Sequence, residues 1–155
     1  MDKICYFFQN AQLLQKTLGI VPLLYGSLGL EYLTGEDLNA DDIDILIPGA
    51  YLTDRWSEFR TLLEGNGYLL MDPREHTFEK DGIHYSYAQL EELESFAEIP
   101  VSEIQEHTAV DIRFRLLSLA QYLKVYQTSA KDGYRVNTRN KKDTEKIAFI
   151  EDHLH

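Results

Sequence analysis

The chain has 155 residues, 44% of them apolar and 12% aromatic, which suits the packed core of one domain rather than a disordered chain. Its net charge of −11, with a pI near 4.8, argues against general nucleic-acid binding, because the surface as a whole repels phosphate. No apolar run approaches the roughly 20 residues that span a bilayer, and no secretory signal is expected at the N-terminus. Cys5 is the single cysteine, so no internal disulfide forms, and a cytoplasmic protein is expected.

Ile4, Phe7, Phe8, Ala11, Leu14 and Leu18 recur at helical spacing and predict a helix over residues 3–18, closed by Gly19. The short apolar run Ile20 to Tyr25 reads as a buried strand that ends at Gly26. A second helix is predicted from Ser27 to about Leu33. A polar loop follows over 36–41, and a strand over 42–47 is closed by Pro48-Gly49. A third helix is expected to open near Thr53-Asp54, with Trp56, Phe59, Leu62 and Leu63 inward.

Tyr68 to Met71 reads as a strand. Asp81-Gly82, between Thr77–Lys80 and Ile83–Tyr87, carries a two-residue hairpin signal. Residues 90–96 form a short acidic helical piece, in which Glu91, Glu92 and Glu94 are read as a solvated face. Thr108 to Phe114 alternates like one strand. Ser118 is placed to cap a helix through Tyr126, and a last helix is expected over 141–154. This order predicts an α+β (α/β) domain with a mixed sheet and a helical C-terminal part, divided as a core over 1–115 and a helical extension over 116–155.

Asp42 and Asp44 lie two apart on a strand, so their carboxylates project from one face while Ile43 and Ile45 point into the core. Paired carboxylates repel each other unless a cation sits between them, and oxygen donors suit Mg²⁺. Two such ions would bracket an in-line nucleotidyl displacement. Gly26-Ser27 stands where a strand turns into a helix, which lets backbone and hydroxyl approach a phosphate. Either pair alone is an ordinary turn or strand end; together, in this order, they point to a nucleotide site.

The run Leu23 to Pro48, LLYGSLGLEYLTGEDLNADDIDILIP, resembles the signature of the DNA polymerase beta-like nucleotidyltransferase superfamily. The phrase Asp41-Asp42-Ile43-Asp44 is most similar to the small aminoglycoside and lincosamide nucleotidyltransferases. Leu119 to Leu154 resembles the helical tail of minimal nucleotidyltransferases, through Lys124, Arg139 and Lys142-Asp143.

The resemblance implies a nucleotidyltransferase fold and transfer of a nucleoside monophosphate from Mg-NTP, with ATP the expected nucleotide, to a hydroxyl of a small-molecule acceptor. It implies that Gly26 and Ser27 contact phosphates, that Asp42 and Asp44 ligate Mg²⁺, and that Lys124 neutralises phosphate charge. Lys142-Asp143 is read as joining the tail to the core, and Arg139 as serving either role, phosphate contact or structural tie.

The family's third carboxylate has no counterpart on Ile83-His84-Tyr85-Ser86-Tyr87. His84 is the expected substitute base, because its ordinary pKa lies near neutrality; Glu79 and Asp111 are further candidates. Two other readings remain open: a non-catalytic nucleotide-binding protein, and an antitoxin-like member acting on a protein partner, with a homodimer also admitted. His76, His107, His153 and His155 show no zinc-ligand spacing.

Overall fold

The computed structural model describes residues 2–131 and 138–154. Strand β1 (Leu23–Tyr25) follows helix α1 (Lys3–Leu18), which Gly19 ends in the left-handed conformation. Helix α2 (Gly26–Thr34) and strand β2 (Ile43–Ile47) complete the first unit. Helix α3 (Trp56–Gly65) precedes β3 (Leu69–Asp72), β4 (Thr77–Lys80) and β5 (Ile83–Gln89). Helix α4 (Glu92–Ala97), β6 (Gln105–Ala109), β7 (Ile112–Leu116), α5 (Leu119–Ala130) and α6 (Thr138–Leu154) finish the chain.

The described strands form one mixed sheet in the order β3-β4-β5-β2-β1-β7-β6. Strand β1 runs antiparallel to β2 and parallel to β7, and β2 runs parallel to β5. Alternation along each strand sorts side chains to two faces. Leu24, Ile43, Ile45, Ile47, Tyr85, Tyr87 and Phe114 pack with Phe7, Leu14, Phe59 and Leu63 of α1 and α3. On the other face Leu23 and Leu46 meet Leu93, Tyr122, Val125 and Ile150 of α4, α5 and α6. The α+β expectation with a mixed sheet therefore holds. Among the described residues no helix is long and apolar enough to cross a membrane.

Two local expectations differ from the structure. Helix α3 begins at Trp56 without a side-chain cap, because a 3-10 turn over Gly49–Leu52 occupies the preceding stretch. Residues 108–114 are not one strand. They belong to the β6–β7 hairpin, which turns at Val110-Asp111 with φ of 50° and 65°. A β-branched residue is a poor left-handed turn former, so the turn carries no glycine or asparagine signal. Elsewhere the signals correspond: Asp81-Gly82 turns β4 into β5, and Ser118 caps α5 in a reciprocal box with Gln121.

Two substitutions test this packing. A Cβ on Gly29 would lie 2.0 Å from the Tyr122 hydroxyl and 2.9 Å from the Leu24 carbonyl oxygen. Gly29→Ala is expected to destabilise the fold by about 1–3 kcal/mol, read as a lower denaturant midpoint. Val110, 90% exposed, has no packing to lose; Val110→Asn should raise stability by roughly 1 kcal/mol through relief of left-handed strain, and an unchanged midpoint would refute that strain.

Candidate functional site

Tyr25 and Asp44 face each other across the antiparallel β1–β2 pair, one residue before the chain turns into α2. Gly26 makes that turn at φ +65°. A Cβ there would lie 2.5 Å from Asp44 Oδ2, so glycine is required twice over, by conformation and by the approach of the carboxylate. Helix α2 opens with no side-chain cap. Its N-cap residue Tyr25 makes no side-chain bond to the first turn, in which Ser27 is second. Tyr122 of α5 donates its hydroxyl to the Gly26 carbonyl at 3.1 Å, with the Leu24 carbonyl at 3.5 Å, and this ties the helical layer to the end of β1.

Asp42 immediately precedes β2 and shares the parity of Asp44. Burial pushes the Asp44 carboxyl from 3.8 up to about 6, and the charge of Asp42 adds to the shift. Desolvation and like-charge repulsion both disfavour the ionised pair, which is the electrostatic setting a cation relieves. The donor set is all oxygen, as Mg²⁺ prefers. Asp42, Asp44, Gly26 and Ser27 are thus gathered at one end of the sheet, on the face that carries α5.

The parallel β2–β5 register sets Ser86 beside Asp44 and Tyr85 beside Ile43. His84, two residues earlier on the same face, pairs in register with Glu79 of β4. Its Nε2 lies 3.7 Å from Glu79 Oε1 on β4, and both side chains are about two-fifths exposed. The Ser86 hydroxyl is instead paired with the Thr77 hydroxyl at 2.9 Å. Of the two polar residues on this face of β5, serine and not histidine is the neighbour of Asp44. Choosing between them needs the inter-strand register, on which the sequence is silent.

Lys124 sits elsewhere. Its ammonium is 3.6 Å from Glu98 Oε2 and 3.5 Å from the Glu98 carbonyl, at the end of α4. On α5 the residues turned toward Asp44 are Tyr122 and Tyr126, and a residue midway between them points roughly to the opposite side. Asp111 occupies the β6–β7 turn, at the end of the sheet away from Tyr25, so it does not join the site.

Sequence reasoning missed Tyr25, Tyr122 and Tyr126, whose rings stack in series at centroid separations of 6.4 and 6.3 Å. Burial and the charges of Tyr25, Asp44 and Asp143 hold the Tyr126 phenol above its ordinary value. Asp143 is buried, whereas the side chains of Arg139 and Lys142 lie outside the described residues. A separate hollow of about 490 Å³, lined by Glu31, Tyr32, Asp37 and Asn39, lies between α1 and α2.

The raised Asp44 value has a signed consequence. The folded state binds the proton more tightly than the unfolded chain, so this residue's stabilising contribution is complete below about pH 4 and is lost as pH rises through 6. Without divalent cations, Asp44→Asn is expected to be more stable than the wild type at pH 7.5 by on the order of 1–3 kcal/mol, allowing for solvent screening. That gain should vanish near pH 4. Paired denaturation curves at the two pH values measure it, and a gain that does not depend on pH would contradict the burial of the charge.

No protein-family model matches the chain. Among solved structures it is similar to an antigenic nucleotidyltransferase-like protein from Paracoccidioides brasiliensis, with a TM-score of 0.64 and 14% identity over 92% of this chain and 72% of that one. It is also similar to ANT(2")-Ia in complex with adenylyl-2"-tobramycin, with a TM-score of 0.60 and 15% identity over 99% and 88% of the two chains. The lincosamide antibiotic adenylyltransferase LnuA, lincomycin-bound, gives a TM-score of 0.54 and 16% identity over 97% and 98%. In sequence the chain is 38% identical over 144 residues to the uncharacterized protein YnaI of Bacillus subtilis (strain 168), spanning 93% of this chain and 92% of the relative. The chain therefore has the nucleotidyltransferase fold and belongs to the same family as YnaI.

Proposed function

We propose that this protein is a cytoplasmic nucleotidyltransferase that moves a nucleoside monophosphate from Mg-NTP, with ATP the expected nucleotide, to a hydroxyl of a small-molecule acceptor. The observation that carries this reading is the abutment of Gly26, at the uncapped start of α2, against Asp44 with Asp42 on the same face. The helix N-terminus and the Ser27 hydroxyl offer hydrogen bonds to phosphate oxygens, and the missing Cβ at Gly26 leaves room for them. Asp42 and Asp44 would hold Mg²⁺, which supplies charge neutralisation at the phosphates.

In the reaction, the acceptor hydroxyl oxygen forms a bond to the α-phosphorus. The bond from that phosphorus to the bridging oxygen breaks, and pyrophosphate leaves with the electron pair. The acceptor proton passes to a base, a role we give to His84. Glu79, 3.7 Å from Nε2, orients the ring. Lys124 reaches a triphosphate only by leaving Glu98. In this reading residues 116–155 act as a helical extension that packs over the Asp44 face of a core formed by 1–115.

The solved relatives make antibiotics such as tobramycin and lincomycin the first acceptors to screen. A second reading, nucleotide binding without turnover, draws support from the neutral Ser86 beside Asp44. Nothing in the described residues singles out a protein partner or a homodimer.

Thermal unfolding with each NTP, with and without Mg²⁺, tests the site. Nucleotide at about 100 times its Kd should stabilise the wild type by roughly 2.7 kcal/mol, only with Mg²⁺ present, and the Asp42→Asn/Asp44→Asn variant should show no shift. An equal shift in both proteins would remove the carboxylates from the site. A Mg²⁺-dependent shift with no product over a broad acceptor panel would select the second reading.

A further inference from the structure

This end of the sheet presents two carboxylates and, next to them, a neutral pair of hydroxyls. Ser86 stands in register with Asp44 on the adjoining parallel strand, and Thr77 engages its hydroxyl at 2.9 Å. The row across the sheet thus reads Tyr25, Asp44, Ser86, Thr77, Asp72, so that two neutral hydroxyl residues separate Asp44 from the next acid, on edge strand β3. Glu79 is two strands away from β2 and turned to His84. Among the described residues no group of three histidine, cysteine, aspartate or glutamate side chains is arranged to hold a metal ion.

Charge and donor count decide what this arrangement accommodates. Two carboxylates balance one divalent cation. Two cations at the roughly 3.5–4 Å of a two-metal centre repel each other strongly and need bridging anionic ligands between them. Ser86, the nearest neighbour of Asp44 on that side, is uncharged, and its hydroxyl is already committed to Thr77. It neither offsets a second dication nor bridges a pair.

We infer that the centre takes one divalent cation per chain, at Asp42 and Asp44, and that Ser86 is the residue that sets this number. The inference rests on the Mg-nucleotide reading given above and departs from the bracketing pair of ions expected from the sequence. With one cation committed to the nucleotide, the acceptor's proton falls to a side chain, and His84 with Glu79 is the basic group on this face.

Counting bound Mn²⁺ tests this without any turnover. The full chain is titrated with Mn²⁺ and a non-hydrolysable α,β-methylene NTP, and the bound ion is followed by electron paramagnetic resonance. One Mn²⁺ per chain with an uncoupled six-line spectrum is expected. Two ions, or a spin-coupled spectrum, would overturn the inference and leave the nucleotide site standing. No protein-bound Mn²⁺ would overturn the underlying reading instead. Ser86→Asp, shown by circular dichroism to be folded, should raise the count to two with a coupled signal; a count of one in that variant would remove Ser86 from the role. If the variant does not fold, the wild-type count still decides the stoichiometry.

Discussion

The contact between the backbone of Gly26 and the carboxylate of Asp44 organises this protein. It exists because β1 and β2 run antiparallel with Tyr25 opposite Asp44, so the end of one strand meets the acidic start of the next. Any side chain at residue 26 would be driven into Asp44, and any L residue would resist the left-handed turn that starts α2. The turn aims the first turn of α2 at the carboxylates. The Tyr122 hydroxyl on the Gly26 carbonyl holds the helical layer to the same point. A shift in any one of these strands or helices would separate the acid from the helix N-terminus.

The same contact explains the electrostatics. Asp44 is placed in a partly desolvated position with a second aspartate close by, and the unligated protein carries that cost as a raised pKa. Such a pair is unfavourable for folding and favourable for binding a cation, so stability and ligand affinity are coupled through one residue. The acidity of the rest of the chain intensifies the effect, since the long-range field of a −11 protein attracts cations and repels free nucleotide. In the proposed reaction metal and nucleotide would therefore arrive together.

The β5 edge of the site shows how little local sequence constrains chemistry. His84 and Ser86 have identical parity, and a shift of two residues in the β2–β5 register would put His84 beside Asp44 in place of Ser86. In the observed register the hydroxyl takes the central place and the imidazole is moved outward to Glu79. The site that results has two acids, a neutral neighbour and a peripheral imidazole.

Most of the architecture was legible in local patterns, because amphipathic spacing and turn residues act over a few positions. The apolar stripe of α1, the Gly26-Ser27 turn, the Asp42/Asp44 parity, the Asp81-Gly82 hairpin and the Ser118 cap all lie within such windows. The turn at Val110-Asp111 did not, because tertiary pairing of β6 with β7 imposes a conformation that valine does not announce. Which residue accompanies Asp44, whether Lys124 faces the cleft or Glu98, and how the tyrosines of β1 and α5 stack were left to the assembled sheet. These depend on strand register and helix rotation, which are set by packing between segments distant in the chain, and no short window of sequence contains that information.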